Sequence, residues 1–153
     1  MYPNLENNQR VALLKWGTIK HDSVVVFDAR GVDPQAKEHG NIYVKRVIGL
    51  PGDHVRYTAD GQLIVNGKFR QQDYLVDEQK RQGTLEITTS QVASKHVNLR
   101  SDQDIVVPSH EYLVLGDNRA ISRDSRYFGF VPKEKIKGVV YAFPWSENHQ
   151  LIN

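Results

Sequence analysis

The chain has no cysteine and only one methionine among its 153 residues. The missing thiols exclude a disulfide framework, a thiolate zinc site, an Fe–S cluster and a cysteine nucleophile. An excess of charge of one sign is missing too. Twenty Lys and Arg against eighteen Asp and Glu leave +2, too even for a chain that lives by binding nucleic acid, and no basic-aromatic stripe supports an oligonucleotide-binding barrel. The six histidines (His21, His39, His54, His96, His110, His149) are scattered with no pair at helical ligand spacing, so neither a metal nor another cofactor is expected. The apolar runs at 11–14, 24–27 and 139–143 fall far short of the roughly 18–20 residues that span a bilayer as a helix. No basic-then-apolar targeting signal opens the chain.

What is present is ordinary for a folded domain: 39% hydrophobic and 25% charged residues, enough to bury one sizeable core. Residues 10–16, 23–28, 41–50, 54–58, 62–65, 84–89, 105–107, 111–115 and 137–143 are rich in β-branched and aromatic side chains and read as short strands. Asp60-Gly61 and Asn66-Gly67 signal tight primed turns, which predicts a meander from His54 to about Arg70. Only residues 34–39 and 132–136 suggest helix. The pattern implies a mainly β fold, an antiparallel sheet or barrel-like core over about 1–72 and 105–153. The polar stretch at about 73–104 reads as a small inserted segment within one domain.

Charge falls in unusual places in two segments. In Tyr43-Val44-Lys45-Arg46-Val47-Ile48-Gly49-Leu50-Pro51-Gly52-Asp53, strand alternation puts one cation on each face of an apolar strand. Such a lysine is either an edge-strand gatekeeper or a desolvated amine whose lowered pKa makes it a usable base. In Leu115-Gly116-Asp117-Asn118-Arg119-Ala120-Ile121-Ser122-Arg123-Asp124-Ser125-Arg126, opposite charges interleave directly after an apolar run. A solvated loop is the plain reading. The alternative is a loop whose shape is fixed by pairing Asp117 and Asp124 with Arg46, Arg119 or Arg126, leaving Ser122 to meet a neighbouring amine.

Together these two blocks resemble the bacterial type I signal peptidases, the membrane-anchored Ser–Lys proteases that remove signal peptides from exported proteins. Lys45 to Asp53 is similar to that family's lysine block almost letter for letter. Gly116-Asp117-Asn118-Arg119 with Ser122, Asp124, Ser125 and Arg126 is similar to its last block. Met1-Tyr2-Pro3-Asn4-Leu5 resembles the nucleophile block, Ser-Met-x-Pro-Thr-Leu, without its serine and with Asn4 in place of Thr. The short insertion suits the compact Gram-positive type.

The resemblance implies that Lys45 is the general base and that Ser122 hydrogen-bonds and orients its amine. It implies a framework of Arg46, Asp117, Asn118, Arg119, Asp124 and Arg126, with Met1, Tyr2 and Pro3 beside the substrate. The nucleophilic serine is expected immediately before Met1, so the chain as written is expected to be inactive without it. The implied partners are signal-peptide-bearing preproteins and a membrane lipid surface. The implied location is the extracytoplasmic face of the cell membrane, below an anchor helix that precedes this sequence. The substrate is expected as an added strand at a sheet edge, with shallow apolar pockets for small side chains. An exposed apolar patch is expected around Met1, Tyr2 and Trp16, or around Phe143 and Trp145, against plain core packing of these aromatics. A LexA-like self-cleaving Ser–Lys protein shares the β-rich core but lacks the last block. A non-catalytic peptide-binding relative stays open, and the residue preceding Met1 separates it from the enzyme.

Overall fold

A computed structural model describes residues 1–6, 8–36, 41–81, 84–85, 96–99, 104–145 and 149–152. Among these residues ten strands form two antiparallel sheets, in agreement with the mainly β expectation. The larger sheet contains β1 (Ala12–Leu14), β2 (Val24–Asp28), β3 (Ile42–Gly49), β8 (Glu111–Leu115), β9 (Val131–Pro132) and β10 (Ile136–Tyr141), in the order β1-β10-β2-β3-β8-β9. The smaller contains β4 (His54–Tyr57), β5 (Leu63–Val65), β6 (Lys68–Arg70) and β7 (Ile105–Val106), in the order β6-β5-β4-β7. Among the described residues, helix is confined to α1 (Asp77–Arg81), α2 (Ser125–Phe128) and single 3-10 turns at Lys133–Lys135 and His149–Leu151. The strand expected at 84–89 lies outside the described residues beyond Leu85, as does the helix expected at 34–39 beyond a turn at 34–35.

The meander forms as its turn residues direct, with one correction. Asn66 (φ 51°) and Gly67 (φ 74°) are both left-handed and make a two-residue primed turn between β5 and β6. At the other hairpin only Gly61 (φ 83°) is left-handed. There the Thr58 N–H donates to the Gln62 carbonyl across a three-residue loop. The Asp60 carboxylate accepts from the Thr58 hydroxyl and the Gln62 amide, which holds Asp60 in ordinary turn geometry.

The core is packed on both faces of the large sheet. Between the sheets lie Ile48, Val55, Leu63, Val65, Val107, Leu113 and Leu115, together with Tyr74, Leu75, Val97 and Leu99 from the polar stretch. On the opposite face, Val25, Phe27, Val47, Val114 and Val131 pack against Phe128 of α2. This two-sided burial is why β2 and β3 read as nearly continuous apolar runs, and it makes a cation on β3 conspicuous. At Gly49 the sheets approach closely, since a Cβ there would lie 2.8 Å from a Val107 methyl and 2.9 Å from one of Val55.

Candidate active site

Register decides where the two charged segments meet. Arg46 of β3 pairs with Leu115, the last residue of β8, so the loop that begins at Gly116 starts beside Lys45 and Arg46. On its other side β3 runs along β2, with Lys45 opposite Val25.

The loop is held by buried ions. Arg46, 2% exposed, makes a two-pronged pair with Asp117, Nε to Oδ1 and Nη2 to Oδ2 both at 2.8 Å. Its guanidinium carbon sits 4.1 Å from the centre of the Tyr74 ring. Arg126 pairs with Asp124 in the same manner, at 2.8 and 2.9 Å. The Asp124 carboxylate also accepts from the Gly116 N–H at 3.0 Å and caps α2 through the Arg126 N–H. Burial alone would push the Asp124 carboxyl up. The Arg126 charge and its hydrogen bonds, with the Gly116 N–H, outweigh burial and hold it below the ordinary carboxylate range.

Arg119 is equally buried but faces neutral groups: the carbonyl of Gly116 at 3.0 Å, Gln72 Oε1 and Thr84 Oγ1 at 3.2 Å each, and the Tyr57 hydroxyl at 3.4 Å. Asn118 contributes through its carbonyl, which accepts the N–H groups of Ile121 and Ser122. Of the pairings left open by sequence, Asp117 takes Arg46 and Asp124 takes Arg126.

The leading residues join this framework through Asn4. Its buried amide donates to Asp117 Oδ2 at 2.8 Å and to the Tyr74 carbonyl at 2.7 Å. Around it the chain closes a turn in which the Leu5 N–H donates to the Met1 carbonyl. Met1 lines a pocket of about 230 Å³ with Leu5, Val11, Val26, Val44 and Val140, and with Glu6 and Gln9 at its margin. Pro3 is half-buried and Tyr2 faces solvent.

Lys45 is half-buried between these parts. Its Nζ donates to the Val44 carbonyl at 3.2 Å and lies 5.4 Å from the centre of the Tyr43 ring. Burial pushes the ammonium pKa below its ordinary value, against the opposing pull of Asp124 and Asp117.

Ser122 comes to the same spot. A Cβ built on Gly116 would fall on Ser122 Oγ and lie 3.7 Å from Lys45 Cδ; only glycine at 116 lets the serine approach the lysine. The hydrogen bond between Ser122 and the Lys45 amine implied by the resemblance is not made. Ser122 Oγ is buried with no hydrogen-bond partner, while Nζ turns to the Val44 carbonyl. The arrangement thus brings a half-buried amine with a lowered pKa and a buried, unpartnered hydroxyl together against Gly116. Among the described residues no three His, Asp or Glu side chains converge as a metal site.

Several partners escape sequence reading. Tyr57, Gln72, Tyr74 and Thr84 reach the framework from outside both charged segments, and no local spacing marks them. Asn4 was visible only as a departure from the Thr usual in the resembling block.

Comparisons with known proteins fit this geometry. Residues 1–145 match the family model described as "Signal peptidase, peptidase S26". Signal peptidase IB of Staphylococcus aureus is 42% identical over 154 residues, covering 96% of this chain and 75% of that protein. A crystal structure of a signal peptidase I from Enterococcus faecalis V583 is similar with a TM-score of 0.56 and 32% identity, covering 80% of this chain and 97% of that one.

Proposed function

The chain belongs to the peptidase S26 family of signal peptidases, and on that premise we propose that it cleaves signal peptides by a Ser–Lys mechanism with Lys45 as general base. The nucleophile in this reading is a serine immediately ahead of Met1 in the full-length protein. One observation carries the proposal: the Lys45 side chain, whose burial pushes its ammonium pKa down, and the buried, unpartnered Ser122 hydroxyl come together against Gly116.

Neutral Lys45 takes the proton of the serine hydroxyl as its oxygen attacks the scissile carbonyl. The resulting ammonium gives that proton to the leaving amine, the peptide bond breaks, and an acyl-enzyme remains. A water then attacks the ester, again losing its proton to Lys45, and the serine leaves as the alcohol. The unpartnered Ser122 hydroxyl is placed to accept from the lysine as it becomes charged, which a change of side-chain torsion away from the Val44 carbonyl would accomplish.

Substrate binding has two supports. Over residues 42–45, β3 is paired with β2 on one side, while β8 reaches only Arg46, Val47 and Gly49 on the other. That leaves a ladder edge beside Lys45 that an extended peptide can join. The 230 Å³ pocket at Met1 suits a small apolar side chain ahead of the cleaved bond.

For the membrane surface the support is exposure. Trp16 is 96% and Trp145 81% exposed, and Phe143 stacks flat on Trp145 at 4.9 Å between centroids. The two tryptophans follow β1 and β10, whose antiparallel register sends them to opposite ends of the ladder. They therefore offer two contacts with an interface, not one patch. An extracytoplasmic site of action on preproteins follows from the same reading.

The test is a pH–rate profile of the full-length protein on a signal-peptide substrate with small residues before the cleavage point. Because the base works only when neutral, kcat/KM should fall as pH drops through the lowered pKa of Lys45, and the midpoint should sit below the ordinary lysine value of 10.5. Absence of cleavage, or a limb abolished by replacing His54 or His110, would overturn the assignment.

A further inference from the structure

We propose that Thr84, in the inserted segment, is a positioning residue for the site: through its hydroxyl and its carbonyl it fixes Arg119 and Arg126, which hold Gly116 and Ser122 in contact beside Lys45. Thr84 is fully buried although it stands in a polar stretch, and both its hydroxyl and its carbonyl are used. Its hydroxyl donates to the Gln79 carbonyl of α1 at 2.9 Å and accepts from Arg119 Nη1 at 3.2 Å. Its carbonyl accepts from Arg126 Nη1 at 3.4 Å.

The two arginines end on the two residues that touch. Arg119 Nε donates to the Gly116 carbonyl at 3.0 Å, and Arg126 Nη2 donates to the Ser122 carbonyl at 3.2 Å. A second contact from the inserted segment points the same way, since Gln79 Oε1 accepts from the Arg119 N–H at 3.0 Å. Hydrogen bonds to buried charged groups are among the stronger ones, and leaving such a donor unmet is costly. With Thr84 in place, both guanidinium groups have one arrangement. Without its hydroxyl, Arg119 Nη1 keeps only the longer bond to the Tyr57 hydroxyl at 3.4 Å, and the 116–122 loop loses one of the contacts that fix it. The inserted segment thus acts on the chemistry without touching substrate.

This inference rests on the Ser–Lys reading, and the experiment separates the two. In the full-length protein, Thr84→Val keeps shape and the backbone carbonyl but removes the hydroxyl. Thr84→Ser restores it. We expect Thr84→Val to lower kcat by about ten- to hundredfold, the scale of a misplaced catalytic group, with KM nearly unchanged and Thr84→Ser close to wild type. A part that is merely structural would lower the melting temperature in Thr84→Val while leaving kcat per folded molecule as in wild type, and that result overturns the inference. If Thr84→Val does not fold, Gln79→Leu takes its place. It removes the acceptor on the Arg119 N–H, and wild-type kcat in that variant would equally overturn the inference. If the wild-type protein itself cleaves no signal peptide, the Ser–Lys reading falls first and takes this role with it.

Discussion

Replacing Lys45 with Met in the full-length protein is expected to cut signal-peptide cleavage by at least about 10²- to 10⁴-fold, the usual contribution of a positioned base, while the fold survives. Methionine matches the length of the lysine stem and suits the apolar side of the site. What is lost is a cation that already sits poorly: Nζ has one hydrogen bond, to Val44, whose residue also lies in the ladder with Val26 of β2. The melting temperature should therefore hold or rise slightly. Lys45→Arg sharpens the test. It keeps the charge and hydrogen-bonding capacity, but a guanidinium does not deprotonate near neutral pH, so it should be as inactive as the methionine variant. Substantial activity in Lys45→Arg would mean that position 45 supplies charge alone.

Asp117→Ala should have the largest effect on stability. It strands Arg46 in a position 2% exposed and removes an acceptor from the Asn4 amide. Breaking a buried ion pair from one side costs about 3–5 kcal/mol, a large share of the roughly 5–15 kcal/mol that holds a domain of this size together. Thermal unfolding should show a drop on the order of 10 °C. The double variant Arg46→Met with Asp117→Leu should recover much of the loss, since no charge is then left buried and alone. A single variant within about 1 kcal/mol of wild type would show that the pair is not the strut its geometry suggests.

Much of this was legible in the sequence because the signals were local. Alternation and turn residues located the strands: Asn66-Gly67 made the expected primed turn, and β-branched runs gave β2, β3, β8 and β10 nearly to the residue. Lys45 and Arg46 stood out because an apolar strand carried two cations, and interleaved signs marked the 116–126 loop as one built to hold geometry. The details that escaped depend on long-range contact. Asp60-Gly61 closed a wider loop because the Asp60 side chain found Thr58 and Gln62. Which aspartate takes which arginine is set by the β3–β8 register, and a period of two does not reveal register. Thr84 and Gln79 reach Arg119 across 35 and 40 residues of chain, so nothing in their neighbourhood announces them. Nor did sequence reveal that the Lys45 amine rests on its neighbour's carbonyl and leaves Ser122 Oγ without a partner.

The most direct measurement is an NMR titration of the Lys45 side chain in the full-length protein, with Lys45→Met identifying its resonance. The amine should titrate below 10.5, apart from the protein's exposed lysines, and at the same pH as the acid limb of kcat/KM. A Lys45 signal that titrates together with the exposed lysines would contradict the claim that this site keeps a dry, neutral amine ready to act as its base.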